Sequence, residues 1–107
     1  MIIKSFNINP TYTFSQNIII YNKICRATVY CEYIGYQFNF NCFAISVIVP
    51  VYGQVNFRIS KKSNNKIYSL QGLQRPSSTL KENFDVFIAH NINKHELAKA
   101  FRTLEGL

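Results

Sequence analysis

Residues 24–33, with the sequence ICRATVYCEY, alternate between two kinds of side chain. Successive side chains of a strand point to opposite faces, so a period of two divides the residues into two sets. One set is largely apolar and the other largely polar: Cys25, Ala27, Val29, Cys31 and Tyr33 against Arg26, Thr28, Tyr30 and Glu32. The stretch is therefore predicted to be a strand with one buried face and one solvent-exposed face.

The same period of two extends over residues 2 to about 70, which are rich in Ile, Val, Phe, Tyr and Thr. Turn-forming residues interrupt it at Ile34–Gly35, at Pro50–Gly53 and at residues 63–65. Residues 2–8 and about 12–21 are expected to add one or two strands. The prediction for this part of the chain is an antiparallel meander of about four to six strands.

The apolar set changes phase once, within the stretch that follows Gly35. Phe40 and Cys42 belong to one set, whereas Phe43 and Ile45 belong to the other. A change of phase predicts a bulge or a bend near residues 42–44. The pattern leaves open whether residues 36–49 form one bent strand or two.

Beyond Ser77 the apolar period becomes helical. Thr79 with Glu82 fits a capping box and Asn93 with Glu96 repeats it, so helices are predicted over about 79–90 and 94–105. Their apolar stripes are Leu80, Phe84, Phe87 and Ile88, and Leu97, Ala98, Phe101 and Leu104. Residues 1–107 are therefore expected to form a single α+β domain, with a meander sheet and two C-terminal helices packed on it.

Composition limits the class of protein. The 107 residues are 48% hydrophobic and 15% aromatic, which is too apolar for a disordered chain. No apolar run approaches the roughly 20 residues of a membrane span, and the first ten residues lack the order of a signal peptide. Three cysteines without a CxxC spacing are typical of buried thiols in a reducing compartment. A soluble protein of the bacterial cytoplasm is the expectation.

The net charge of +7 comes entirely from the predicted sheet. Residues 1–78 contain eight Lys or Arg and one acid, whereas residues 79–107 contain four of each. Five of the basic residues lie within 58–75, where there is no acid, and form the predicted basic patch: Arg58, Lys61, Lys62, Lys66 and Arg75. Such a patch attracts phosphates or acidic protein surfaces, although lysines at hairpin tips also serve solubility.

The solvent face of the predicted strands is rich in amides and nearly free of acids. Five of its residues are predicted to contact a partner: Arg26, Tyr30, Asn39, Asn41 and Asn56. Amides and arginine hydrogen-bond to phosphates and base edges, and tyrosine stacks on unpaired bases. The same side chains serve equally well in a protein interface.

No sequence motif predicts catalysis or a metal site. A phosphate-binding loop, a nucleophile elbow and HExxH are all missing, and the cysteine and histidine spacings do not fit zinc. His90 and His95 are the candidates for proton transfer in a metal-independent ribonuclease of toxin type, but their positions at helix ends explain them without chemistry. No catalytic residue, metal or cofactor is therefore predicted.

These observations favour a non-catalytic binding protein of a phage or mobile element. Its expected partner is a host protein or nucleoprotein complex, which it would occlude sterically through the basic sheet face. This general profile is shared with accessory proteins that block host defence, anti-CRISPR proteins among them, although no residue pattern connects the chain to them. The alternatives are a direct single-stranded DNA or RNA binding protein, which could be a homodimer, and the ribonuclease toxin. A membrane partner is not expected.

Overall fold

A computed structural model describes residues 10–61, 68–71 and 80–106, which form a five-stranded sheet followed by two helices. The strands are β1 (Thr11–Ile20), β2 (Lys23–Gln37), β3 (Phe40–Val49), β4 (Gly53–Lys61) and β5 (Tyr68–Gln71), and the helices are α1 (Leu80–His90) and α2 (Lys94–Glu105). Each strand pairs antiparallel with the next along the chain. The predicted α+β fold is confirmed. The strand predicted at residues 2–8 and the turn at residues 63–65 lie outside the described residues.

Both helices pack on the same face of the sheet, which we call the inner face. Helix α2 contacts β1 and β2, and α1 contacts β4. On β1 to β4 the inner face carries the apolar set, including Val29, Ile45 and Ile59, all of which are buried. Phe43 of β3 stacks on Phe101 of α2 with ring centroids 4.3 Å apart. The hydrophobic core therefore lies between the sheet and the helices.

The turn between β2 and β3 lies at Phe38–Asn39, not at the predicted Ile34–Gly35. Strand β2 continues through Gly35, where the register with β3 shifts after Tyr33 and the glycine adopts a φ of 113°. Glycine tolerates this left-handed conformation because it has no Cβ. The bulge predicted near residues 42–44 occurs in the partner strand: the extra residue, Ile34 of β2, lies opposite Phe43 and Cys42, whereas β3 itself pairs regularly with β4. The apolar set changes phase in the sequence because Phe40 and Cys42 lie on the side of β3 opposite Phe43, and Cys42 is buried there beside Ser60.

The helices agree closely with the sequence prediction. Asn93 caps α2, where its Oδ1 accepts hydrogen bonds from the backbone N–H groups of His95 and Glu96 at 2.9 and 3.1 Å. The stripe on α2 is confirmed, except that Ala100 is buried and Ala98 is only partly so. On α1, Ile88 is buried and Phe84 partly buried, but Phe87 is exposed. The cap predicted at Thr79 lies outside the described residues.

Gln16 of β1 attaches the loop between the helices to the sheet. Its Nε2 donates to the carbonyl oxygen of Asn91 at 3.0 Å, and its Oε1 accepts from the backbone N–H of Asn93 at 2.7 Å. The side-chain amide thus satisfies one acceptor and one donor of the backbone in the connecting loop. This contact fixes the start of α2 over β1.

Three hairpin turns contain a bulky residue in the left-handed region. Tyr21 and Phe38 have φ values of 50° and 51° and are each followed by an asparagine with positive φ, as in a type I′ turn. Val51 has a φ of 76°, and the turn that contains it is closed by a hydrogen bond from the N–H of Tyr52 to the oxygen of Val49 at 3.1 Å. Positive φ favours Gly or Asn and is costly for bulky or β-branched side chains. These turns therefore store backbone strain.

Phe38→Asn is expected to stabilise the protein. Phe38 is 92% exposed, so the substitution removes little packing while it places a residue that tolerates the left-handed region at a φ of 51°. The free energy of unfolding should rise by about 1 kcal/mol. Urea unfolding followed by circular dichroism measures it, and an unchanged or lower midpoint would contradict the assignment of strain to this turn.

Candidate binding surface

The sheet face opposite the helices, which we call the outer face, carries mainly hydroxyl and amide side chains. No helix among the described residues covers it. It consists of Thr11, Thr13, Ser15 and Asn17 on β1, Arg26, Thr28, Tyr30 and Glu32 on β2, Ala44, Ser46 and Ile48 on β3, and Gln54, Asn56 and Arg58 on β4, all of them at least partly exposed. A surface with this many donors and acceptors can hydrogen-bond extensively to a partner.

The centre of the outer face is a row of four side chains across four strands. The register pairs Thr13 with Tyr30, Tyr30 with Ser46, and Ser46 with Asn56. The Oδ1 of Asn56 accepts hydrogen bonds from the Oγ of Ser46 at 2.8 Å and from the Nε2 of Gln54 at 2.9 Å. These bonds fix the amide plane of Asn56 before any partner arrives, which lowers the entropy lost on binding.

Two arginines lie at different positions on the outer face. Arg26 is the register partner of Asn17 and donates from Nη1 to its Oδ1 at 3.2 Å. Arg58 lies opposite Ala44, whose small side chain leaves an open depression that Arg58 helps to line. Glu32 of β2 pairs with Ala44 across the other edge of β3 and is the acidic residue among the described outer-face residues. The described outer face therefore has a positive charge balance.

Four predicted site residues share this face: Arg26, Tyr30, Asn56 and Arg58. Asn39 lies apart from them, exposed in the turn at the end of the sheet. Lys62, Lys66 and Arg75 lie outside the described residues. The sequence prediction omitted Ser46 and Thr13, although the alternation of residues 43–49 places Ser46 opposite the apolar set and provides the signal that identifies it.

Asn41 and Lys61, which were also predicted to contact a partner, are buried on the inner face instead. The Nδ2 of Asn41 donates to Glu105 Oε2 at 2.7 Å, and the Nζ of Lys61 donates to Glu105 Oε1 at 2.9 Å. Tyr33 completes this polar cluster by donating from its hydroxyl to Asn41 Oδ1 at 2.8 Å. The physical reason is the turn at residues 38–39, after which the odd-numbered residues of β3 point inward.

The polar cluster holds the C-terminal end of α2 against three strands. A carboxylate in the last turn of a helix is disfavoured by the helix dipole, so the ammonium of Lys61 compensates both the dipole and the partial burial of Glu105. Burial raises the pKa of the Tyr33 hydroxyl, and the nearby Glu105 carboxylate raises it further. Tyr33 therefore remains protonated and acts as a donor.

Glu105→Leu is expected to destabilise the protein by about 2 kcal/mol, because it leaves the Lys61 ammonium and the Asn41 amide without their carboxylate acceptor in a largely buried site. Adding Lys61→Met should recover part of the loss, since the uncompensated charge is removed. Urea unfolding of the double variant and of both single variants tests this. If the loss in free energy of unfolding in the double variant equals the sum of the losses in the single variants, the two side chains are not coupled.

The three cysteines are free thiols. Cys31 is fully buried, and this burial raises its pKa to about 12, so it stays protonated at neutral pH. Cys42 is buried with its Sγ 3.8 Å from the Oγ of Ser60, and Cys25 is partly buried. Within the described residues, no group of three or more His, Cys, Asp or Glu side chains could hold a metal ion.

Cys31 is expected to make stability fall at alkaline pH. Its pKa rises from an ordinary value of 9.0 to about 12 on folding, so above pH 9 the unfolded chain loses a proton that the folded chain keeps. The free energy of unfolding should then decrease by up to about 1.4 kcal/mol per pH unit. Urea unfolding between about pH 8 and about pH 10 measures the slope. Cys31→Ala should flatten it and Cys25→Ala should not; equal slopes in all three proteins would contradict the assignment.

His90 and His95 lie exposed at the ends of α1 and α2 that face the connecting loop. His95 is held there by the cap, since its backbone N–H donates to Asn93 Oδ1. The helix-end position that the sequence predicted for both residues is thus confirmed. Neither of the two described helices has the length and apolar character needed to cross a bilayer.

The fold and surface define a two-layer α+β protein with an open antiparallel meander sheet. No protein-family model, curated protein or solved structure matches the chain.

Proposed function

We propose that this chain is a non-catalytic binding protein that occludes a host nucleoprotein target through the outer face, as inhibitors encoded by phages and mobile elements do, anti-CRISPR proteins among them. The observation that carries the proposal is the outer face itself. Four strands present a row of hydrogen-bonding side chains, with Tyr30 and two arginines on the same face.

The composition of the outer face supports binding. Tyrosine and arginine are the residue types that most often dominate interface energetics. A strand-borne surface is also stiff, so less conformational entropy is lost on docking than for a loop. Hydrogen bonds already orient Asn56 and Arg26. Occlusion requires only such a preformed surface and no chemistry.

The charges on the outer face indicate the charge that the partner's surface is expected to carry. Arg26 and Arg58 outnumber Glu32 there, so a carboxylate-bearing or phosphate-bearing surface is favoured and its approach is accelerated. Such surfaces are abundant on nucleoprotein complexes of the bacterial cytoplasm, where we place the protein.

Direct binding of single-stranded DNA or RNA is a second candidate. It is favoured by Tyr30, which is exposed in β2 on the same strand face as Arg26. An exposed aromatic ring can stack on a base, and a cation further along the same face can contact a phosphate of the same nucleic-acid strand.

The double variant Arg26→Gln/Arg58→Gln is expected to weaken binding at least tenfold, because both charges and their donors leave the outer face. Lys99→Gln/Arg102→Gln is the matched control, since it removes the same charge from exposed positions on α2. Isothermal titration with the partner purified from host cells, and fluorescence anisotropy with labelled single-stranded DNA and RNA at two salt concentrations, measure the effect.

Equal losses in the two double variants would overturn the assignment of binding to the outer face and indicate an effect of net charge alone. Tight, salt-sensitive binding of the oligonucleotides would favour the nucleic-acid binder over the inhibitor. RNA recovered from the same samples is inspected on a gel, and cleavage that is lost in His90→Ala or His95→Ala would support the ribonuclease toxin instead.

A further inference from the structure

Bulky apolar side chains are exposed at the end of the sheet where the β1–β2 and β3–β4 turns lie side by side. Val51 is 99% exposed, Tyr21 77% and Ile24 72%. The rings of Tyr21 and Tyr52 lie 6.1 Å apart, so the two hairpins touch each other. With Ile19, the cross-strand partner of Ile24, these residues form what we call the hairpin-end patch.

The hairpin-end patch is unfavourable for folding in two independent ways. Its side chains gain little from burial in the folded chain, and Tyr21 and Val51 also have positive φ values of 50° and 76°. Asn or Gly at either position would remove both costs. Such features occur at functional sites, and the hairpin-end patch differs from the equally strained and exposed Phe38 because it groups several apolar side chains next to the outer face.

The hairpin-end patch is continuous with the outer face. Ile19 and Ile24 lie on the same sides of their strands as Asn17 and Arg26, which form the next row. A partner bound to the outer face could therefore contact these isoleucines on the same continuous surface.

The chemistry of the hairpin-end patch selects its occupant. The two hairpins that form it, residues 16–27 and 46–57, contain Lys23 and Arg26 and no acid, so a second copy packed hairpin against hairpin would bring like charges together. Tyr21 can stack on a base, but Ile19, Ile24 and Val51 are aliphatic and cannot, which favours a protein over nucleic acid. A lipid bilayer would accommodate the apolar turn residues, but it would leave the hydroxyl and amide side chains of the outer face without hydrogen-bond partners. An apolar cavity with an acidic rim on a protein satisfies all of these groups.

We propose that the hairpin-end patch is the apolar anchor by which the chain docks on a protein partner, inserting Val51 and its neighbours into an apolar cavity with an acidic rim. This inference rests on the proposed function, because it assigns the hot spot of the same interface. Exposed apolar patches rimmed by polar groups mark interaction sites, and a few well-packed residues carry most of the energy in protein interfaces.

Val51→Asn tests the anchor separately from folding. It removes the apolar side chain while it relieves the positive φ, so the variant should unfold at a higher urea concentration than the wild type and bind about tenfold more weakly. Phe38→Asn is the matched control. It makes the same kind of change at a φ of 51° in a turn at the opposite end of the sheet, and it should gain stability without losing affinity.

The partner is identified by photo-crosslinking the full chain in extract of its host, with the crosslinker at residue 51, at residue 56 on the outer face, or at residue 38. The purified partner is then titrated with the wild type and each variant, and vesicles of phosphatidylcholine and phosphatidylserine are tested alongside. Weaker binding by Val51→Asn alone, with adducts at residues 51 and 56, supports the anchor.

Wild-type affinity of Val51→Asn would overturn the anchor, and so would adducts at residue 51 to lipid or nucleic acid, or vesicle binding that Val51→Asn abolishes. In those cases the proposed function stands if Arg26→Gln/Arg58→Gln still loses affinity. If that double variant binds as the wild type does, or if no position yields a protein adduct, both proposals fail.

Discussion

Both helices pack on one face of the sheet. This one-sided packing determines which side chains of β1 to β4 are buried and which are exposed. The stack of Phe43 on Phe101 and the burial of Val29 and Ile45 set which parity of each strand points inward. Because side chains alternate, the opposite parity is then fixed on the outer face, where most side chains of β1 to β4 are at least partly exposed and Cys42 and Ser60 are buried. The core and the candidate binding surface are thus two consequences of the same alternation.

Where the signals are local, the sequence predicted the structure well. The alternation of residues 24–33 identified the face of β2 on which Arg26 and Tyr30 lie, and the Asn93 cap with its apolar stripe identified α2 almost to the residue. These features depend on contacts within a few residues, where propensity and periodicity act directly.

The turn at Phe38–Asn39 could not be predicted in the same way. Phenylalanine is disfavoured at the positive φ that this turn requires, whereas glycine is favoured there. The sequence therefore predicted the turn at Ile34–Gly35, where the structure has a bulge instead. That error shifted the expected face of the residues that follow, and Asn41 was placed in solvent. The link between Lys61 and Glu105 was equally inaccessible, because it joins residues far apart in sequence whose meeting depends on the packing of α2.

The two faces also differ in how well their side chains are satisfied within the folded chain. On the inner face, polar groups such as those of Lys61 and Glu105 are paired, and the aromatic rings are stacked. The outer face and the hairpin-end patch keep exposed apolar residues such as Ile48 and Ile24, and the hairpin-end patch also has positive φ values at Tyr21 and Val51, which selection for stability alone would remove. The well-packed inner layer stabilises the fold enough to offset the free-energy cost of these few strained turns. Since Phe38 shows the same conflict at the opposite end of the sheet, the proposal of recognition rests on the continuity of the hairpin-end patch with the outer face, through Ile19 and Ile24.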